Sequence, residues 1–192
     1  MPPKIQFSRD EIIEAAFAIA KDEGFSGITA RSVAKRLKSS VAPIYVNFQT
    51  IEELIQAVVQ RVFALSRELL DQQTGEHFFE NIGRASLSFA REYPVLFREL
   101  VLTPNPYLAS RRVITEEMVD ALEQQPEMSS LSAPQRRRLL LKMQVFQTGL
   151  SAMVANGHLP EECTQDEIEE LLMETGEELL YAQKHIRKEN ER

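Results

Sequence analysis

The chain carries one cysteine, Cys163, so no internal disulfide is available and a reducing compartment is favoured. No run approaches the length of a membrane span. The opening stretch, MPPKIQFSRDE, lacks the apolar centre of a secretory signal. A cytoplasmic protein without membrane attachment is therefore expected. The three histidines, His77, His158 and His185, stand far apart and form no metal-ligand pattern. Glycine-rich phosphate loops and nucleophile elbows are missing as well. No catalytic residue, metal or cofactor is expected. Cys163 lies beside acids, which disfavour its thiolate, and reads as an inert loop thiol. Sustained apolar–polar alternation is absent, which argues against strands. Neither an internal repeat nor a low-complexity tract is present.

What is present is a helix-forming chain of 192 residues with 43% hydrophobic residues, enough for a real core. Net charge is −7, which at first argues against nucleic acid, but the charge is unevenly placed. Residues 1–50 hold seven Lys/Arg and five acids, or +2, which leaves −9 for the remainder. A mildly basic head on an acidic body is compatible with DNA binding by the head alone.

Helix starts are marked by capping boxes, in which a hydroxyl accepts from a backbone N–H three residues on and an acid or amide reaches back. Ser8–Glu11, Thr50–Glu53, Ser132–Gln135 and Thr164–Glu167 fit the pattern. Gly24, Gly75 and Gly157 mark stops, and Tyr93-Pro94 marks a break. The predicted helices are 9–23, 30–37, 41–47, 51–72, 76–92, 94–102, 107–124, 133–156 and 165–188. Arg136-Arg137-Arg138 reads as a solvated face.

The stretch TARSVAKRLKSSVAPIYVNFQTIEEL, residues 29–54, reads as a helix, a tight turn, a second short helix and the start of a third. Val33, Ala34 and Leu37 share one apolar stripe; Ile44, Tyr45 and Phe48 share another. Two short helices packed on a common neighbour, residues 8–24, make a helix-turn-helix. Small side chains then lead the second helix: Ser40, Val41, Ala42 and Pro43. They suit close approach to a groove and contact with thymine methyls.

This segment resembles the TetR (tetracycline-repressor-like) family of bacterial transcription regulators. Thr29, Ala34, Ile44, Tyr45, Phe48, Thr50, Glu52 and Leu54 follow the family pattern in order and spacing, and the resemblance runs over about residues 8–58. Two departures stand out: Lys38 occupies a turn position where the family has Gly, and Ile51 replaces a basic residue. The resemblance implies an all-α chain. A three-helix helix-turn-helix domain, residues 1–50, precedes a helical ligand-binding and dimerisation domain, residues 51–192. It also implies a non-enzymatic, ligand-responsive homodimer, most simply a repressor, on a two-fold-symmetric site in double-stranded DNA. Arg31 is expected to reach a base or phosphate. Thr29 and Ser40, at helix starts, and Tyr45, through its hydroxyl, are expected to meet phosphate, with Lys38 as a nonspecific contact. Asn47 stands where the family often has a phosphate-binding histidine.

In the body, Leu139, Met143, Phe146, Leu150 and Met153 form one stripe, and Ile168, Leu171, Leu172, Thr175, Leu179, Leu180 and Ile186 another. These are expected to meet a second copy, with close approach at Gly149, Ser151, Ala152, Ala155 and Gly176. Phe89, Tyr93, Phe97 and Tyr107 are candidates to line a pocket for a small apolar or aromatic effector. The alternative is an all-helical ligand carrier or enzyme with a vestigial helix-turn-helix, a reading supported by Lys38, Ile51 and the acidic total.

Overall fold

The computed structural model describes residues 7–75, 78–106, 116–126 and 128–185. Among them there are nine α-helices and no strand. The helices are α1 (Arg9–Glu23), α2 (Ala30–Arg36), α3 (Ala42–Asn47), α4 (Ile51–Asp71), α5 (Phe78–Glu92), α6 (Pro94–Phe97), α7 (Glu116–Glu123), α8 (Ala133–Asn156) and α9 (Gln165–His185). A 3₁₀ turn at Phe25–Gly27 precedes α2, and α6 widens into a π-helical turn at Arg98–Leu102. The predicted helix ends at 76–77, 107–115 and 186–188 lie outside the described residues, as do Tyr107 and Ile186. None of the described helices is long and apolar enough to cross a membrane.

Most of the predicted boundaries hold because their causes are local. Ser8 and Glu11 close a full capping box, with the Ser8 N–H donating to Glu11 Oε2 at 2.7 Å and the Glu11 N–H donating to Ser8 Oγ at 3.2 Å. Thr164 and Glu167 repeat it. Gly24 (φ +79°) and Gly157 (φ +63°) end α1 and α8 with positive φ. Gly75 does not act this way; α4 ends four residues earlier, through the Gln72 N–H on Glu68 O.

The described chain falls into two compact units. The first runs to Thr74 and resumes from Ser88 to Pro106; the second holds Gly75–Leu87 and the chain from Glu116 onward. Helix α5 therefore contributes to both, and α4 belongs by packing with the head. In the first unit, α1 packs on α4, α2 and α6. Ile12, Ala16, Phe17, Ile19 and Ala20 of α1 are buried, as are seven residues of α4 from Leu54 to Leu69. Burying a large apolar side chain contributes about 1.5–3 kcal/mol each, so this pair anchors the head.

In the second unit, Val119, Leu122, Met128, Leu131, Leu139 and Leu140 form one buried cluster, and Leu87, Leu150 and Leu172 another. The α8 and α9 stripes expected to meet a partner largely serve this unit's own core: Leu139, Leu150 and Leu172 are buried, and Met143, Phe146, Leu179 and Leu180 pack against the clusters. A close helix approach occurs at Gly83, where an added Cβ would lie 2.6 Å from Leu172 Cδ2. At Gly149 and Gly176 the same atom would meet open space within the chain.

Arg136 corrects the solvated reading of the arginine run. It is buried on α8 and donates to Val119 O (3.1 Å), Leu131 O (2.6 Å) and Glu123 Oε2 (2.6 Å). Two of those acceptors are backbone carbonyls left without this donor if the side chain is removed. We expect Arg136→Ala to cost roughly 2–3 kcal/mol in a denaturant titration. Glu123 is mostly exposed, so Glu123→Gln should change stability by less than about 1 kcal/mol. Equal costs for the two variants would contradict this account.

Candidate nucleic-acid interface and cavity

Thr29 caps α2. Its Oγ1 accepts from the Ser32 N–H (3.0 Å), while Ser32 Oγ accepts from the Thr29 N–H (2.9 Å) and donates to Gly27 O (2.7 Å). Thr29 is exposed, but its hydroxyl is engaged in this local network. At the other end, the Ser39 N–H donates to Ala34 O and the Lys38 N–H to Lys35 O. This is the paired closure that needs a left-handed residue, and Lys38 supplies it at φ +52°. Left-handed geometry costs an L-residue about 1–2 kcal/mol. The turn thus keeps its shape and carries a cation where glycine would carry none.

Helix α3 starts at Val41 without a side-chain cap, and Pro43 sits in its first turn. Ile44 and Phe48 are fully buried, as their spacing predicts. Helical geometry therefore turns the neighbouring positions outward. Ser40, Val41 and Ala42 are exposed and Pro43 partly so. Tyr45 is 54% and Val46 78% exposed. An exposed Tyr45 is not a core residue, and its ring and hydroxyl are free of the packing role its stripe suggested. Val46 was not singled out from the sequence; its place opposite Ile44 and Phe48 was the available signal.

Asn47 sits differently. Its side-chain amide donates to Pro43 O (2.9 Å) and Phe7 O (3.3 Å), and its backbone carbonyl accepts from Arg9 Nη1 (2.6 Å). The side chain stitches the end of α3 to the start of the chain. Arg9 completes that stitch, lying 4.0 Å over the Phe48 ring and 2.9 Å from Glu53 Oε1. Glu53 was expected to close a capping box on Thr50. It accepts instead from the Gln49 N–H (2.8 Å) and from Arg9, and these bonds, the first above all, hold its carboxyl below the usual range. Arg9 was not foreseen, because its partners lie about forty residues away in sequence.

Arg31 is exposed on the first turn of α2, and no described residue forms an ion pair with it. Lys35, Arg36 and Lys38 are exposed too. From Gly24 to Ile51 the chain has these four cations and no acid. The surface that carries Arg31, Ser40, Val41, Tyr45 and Val46 is thus cationic on a chain of net charge −7. That arrangement can attract phosphates while apolar side chains approach base edges.

Of the aromatic residues proposed to line a pocket, Phe89, Tyr93 and Phe97 lie in the first unit, and Tyr107 lies outside the described residues. Phe89 and Phe97 are buried in the first unit, their rings 6.4 Å apart. Tyr93 stacks on Phe89 at 5.8 Å and lies 6.5 Å from Phe17 of α1. They pack against one another and, through Tyr93, beside Phe17 of α1. A cavity of about 330 Å³ lies in the second unit, lined by other residues. Phe79, Met128, Met143, Phe146, Leu172 and Leu180 supply apolar walls, and Gln125, Gln147, Glu80 and Glu177 supply polar edges.

Comparison with known proteins places this geometry. The model of the bacterial regulatory proteins, tetR family, matches residues 12–58, the span from α1 into α4. No curated protein sequence matches the chain. Among solved structures, the chain is similar to a TetR-like transcriptional regulator from Rhodococcus sp. RHA1, with 19% identity and a TM-score of 0.61 over 95% of this chain and 97% of that one. It is also similar to a second transcriptional regulator from Rhodococcus sp. Rha1, with 16% identity and a TM-score of 0.60 over 92% and 97%. At these identities the likeness establishes the fold, all-α with an N-terminal helix-turn-helix. The N-terminal segment, residues 12–58, is thus a helix-turn-helix of the kind found in the tetR family of bacterial regulatory proteins.

Proposed function

We propose that the protein is a cytoplasmic homodimeric repressor that reads a two-fold-symmetric DNA site and releases it on binding a small apolar or aromatic effector. One observation carries the DNA-reading part. The exposed side of α2 and α3 joins four cations, without an acid, to a small, apolar leading edge. Arg31 is the residue assigned to a base or phosphate; Thr29, Lys38, Ser40 and Tyr45, each exposed, are assigned to backbone contact. Val41, Ala42 and Pro43, with Val46, are assigned to thymine methyls. Asn47 serves the fold of the head.

The test is selection of bound fragments from random DNA, followed by Arg31→Ala. A bidentate base contact predicts a loss of roughly 1–3 kcal/mol, with relaxed preference at one position per half-site. Contact with phosphate alone predicts a loss shared by all sequences and a shallower salt dependence. Unchanged affinity would remove Arg31 from the interface.

A single helix-turn-helix covers one half-site, which favours a dimer. Support for its surface comes from Leu141 (54%), Val145 (66%) and Met153 (40%), exposed on α8, and from Leu171 (45%) and Tyr181 (65%), exposed on α9. Leu141 and Val145 are one turn apart, on a face not used by the unit's own core. In a two-fold interface each such residue meets the same surface of the other copy. Light scattering should give a dimer at micromolar concentration, and Val145→Glu should give a folded monomer. A dimer that survives Val145→Glu would exclude this face.

For the effector, the cavity is at the small end of known small-molecule sites. Regulation requires that the effector prefer the conformer that does not bind DNA, and its leverage cannot exceed that preference. Met143→Trp should fill the space. The variant is expected to bind DNA like the wild type but to lose release by compounds that raise the wild-type melting temperature. Full release by the variant would place the effector elsewhere.

A further inference from the structure

The turn that launches α2 is held from a distant part of the chain. Helix α1 ends at Gly24, whose φ of +79° and ψ of −179° fall in a region that essentially only glycine occupies. The Gly24 N–H still closes α1 on Ala20 O at 3.0 Å. The next N–H, that of Phe25, donates to Glu99 Oε2 at 2.7 Å, across 74 residues of sequence. Gly24 is buried, and a Cβ there would overlap the Glu99 carboxylate. Glycine is thus required twice, for its backbone angles and to let the carboxylate approach.

Beyond Phe25 the chain is committed step by step. The Gly27 N–H donates to Gly24 O and the Ile28 N–H to Phe25 O, forming the 3₁₀ turn. Ser32 Oγ donates to Gly27 O and joins the Thr29 cap. Arg31 lies within that first turn of α2. Glu99 itself sits in the π-helical turn Arg98–Leu102. Side chains just beyond tie that turn down, with Thr103 Oγ1 on Arg98 O (3.1 Å) and Asn105 Nδ2 on Glu99 O (3.3 Å). Single π turns recur at functional positions in helices.

We propose that Glu99 is a positioning residue for DNA reading: by accepting the Phe25 N–H, its carboxylate sets the turn from which α2 starts and hence the placement of Arg31. This rests on the DNA-reading function proposed above. A charged acceptor makes the bond stronger than a neutral one would. The π-helical turn therefore acts on the reading surface without touching DNA.

The test uses full-length protein and the DNA site selected by the wild type. Glu99→Ala should weaken binding to that site about tenfold, the effect of losing one charge-assisted bond. Its low-salt binding to unrelated DNA should stay unchanged, because the cations remain. Glu99→Gln keeps an acceptor oxygen and should recover most of the loss. Hydrogen exchange at the Phe25 amide should accelerate in the alanine variant and much less in the glutamine variant. Gly24→Ala should mimic Glu99→Ala. Specific binding that persists in Glu99→Ala, with a fast Phe25 amide, would overturn the proposal. So would equal losses on specific and unrelated DNA with lowered helicity, which mark a purely structural role. A wild type that selects no DNA would instead overturn the underlying function, and this shows before any variant is made.

Discussion

Helices of seven and six residues do not stand alone in water, and the proposed DNA-reading surface consists of two such helices. Everything that the head presents depends on burying one side of each. Val33 and Ala34 of α2, and Ile44 of α3 with Phe48 just beyond it, are removed from solvent in a unit built on α1 and α4. Once those four are inside, the helical period leaves no freedom about what faces out: Arg31 and Lys35 on α2, Tyr45 and Val46 on α3. Function here is the complement of packing.

Apolar burial is not directional, so polar ties set the finer geometry. Arg9 joins the Asn47 carbonyl to Glu53 while covering Phe48. Glu99 holds Phe25, and Ser32 binds the 3₁₀ turn to the Thr29 cap. Glu53 and Glu99 thus serve the framework of the head, while the two short helices carry only cations. A net charge of −7 and a cationic reading surface then coexist without conflict.

How much of this was legible depended on how far each cause reached along the chain. Capping boxes at Ser8 and Thr164 were readable because donor and acceptor lie three residues apart. The helix-turn-helix and its family were readable because Thr29, Ile44, Tyr45 and Phe48 fall at fixed offsets. The partner of an apolar stripe was not readable. Phe89, Tyr93 and Phe97 do share a stripe, but it packs the head near Phe17, while the cavity belongs to Phe79, Met128, Met143 and Phe146. Arg136 looked solvated beside two other arginines. Its spacing from Leu139, Leu140 and Met143 put it on the apolar side, and that period was the better guide. Glu99 and Arg9 gave no local sign at all, since each acts on residues dozens of positions away.

The first unit is not contiguous in sequence: it takes the chain to Thr74 and then Ser88 to Pro106, with a piece of the second unit between. A ribosome makes the chain from the N-terminus, so all of α1 to α4 emerges before the residues that finish their core. Phe97 and the Glu99 carboxylate come last. Until they arrive, the turn before α2 has its glycine but not its acceptor. The reading helices are therefore present early in synthesis, yet their final setting waits for more than half of the chain.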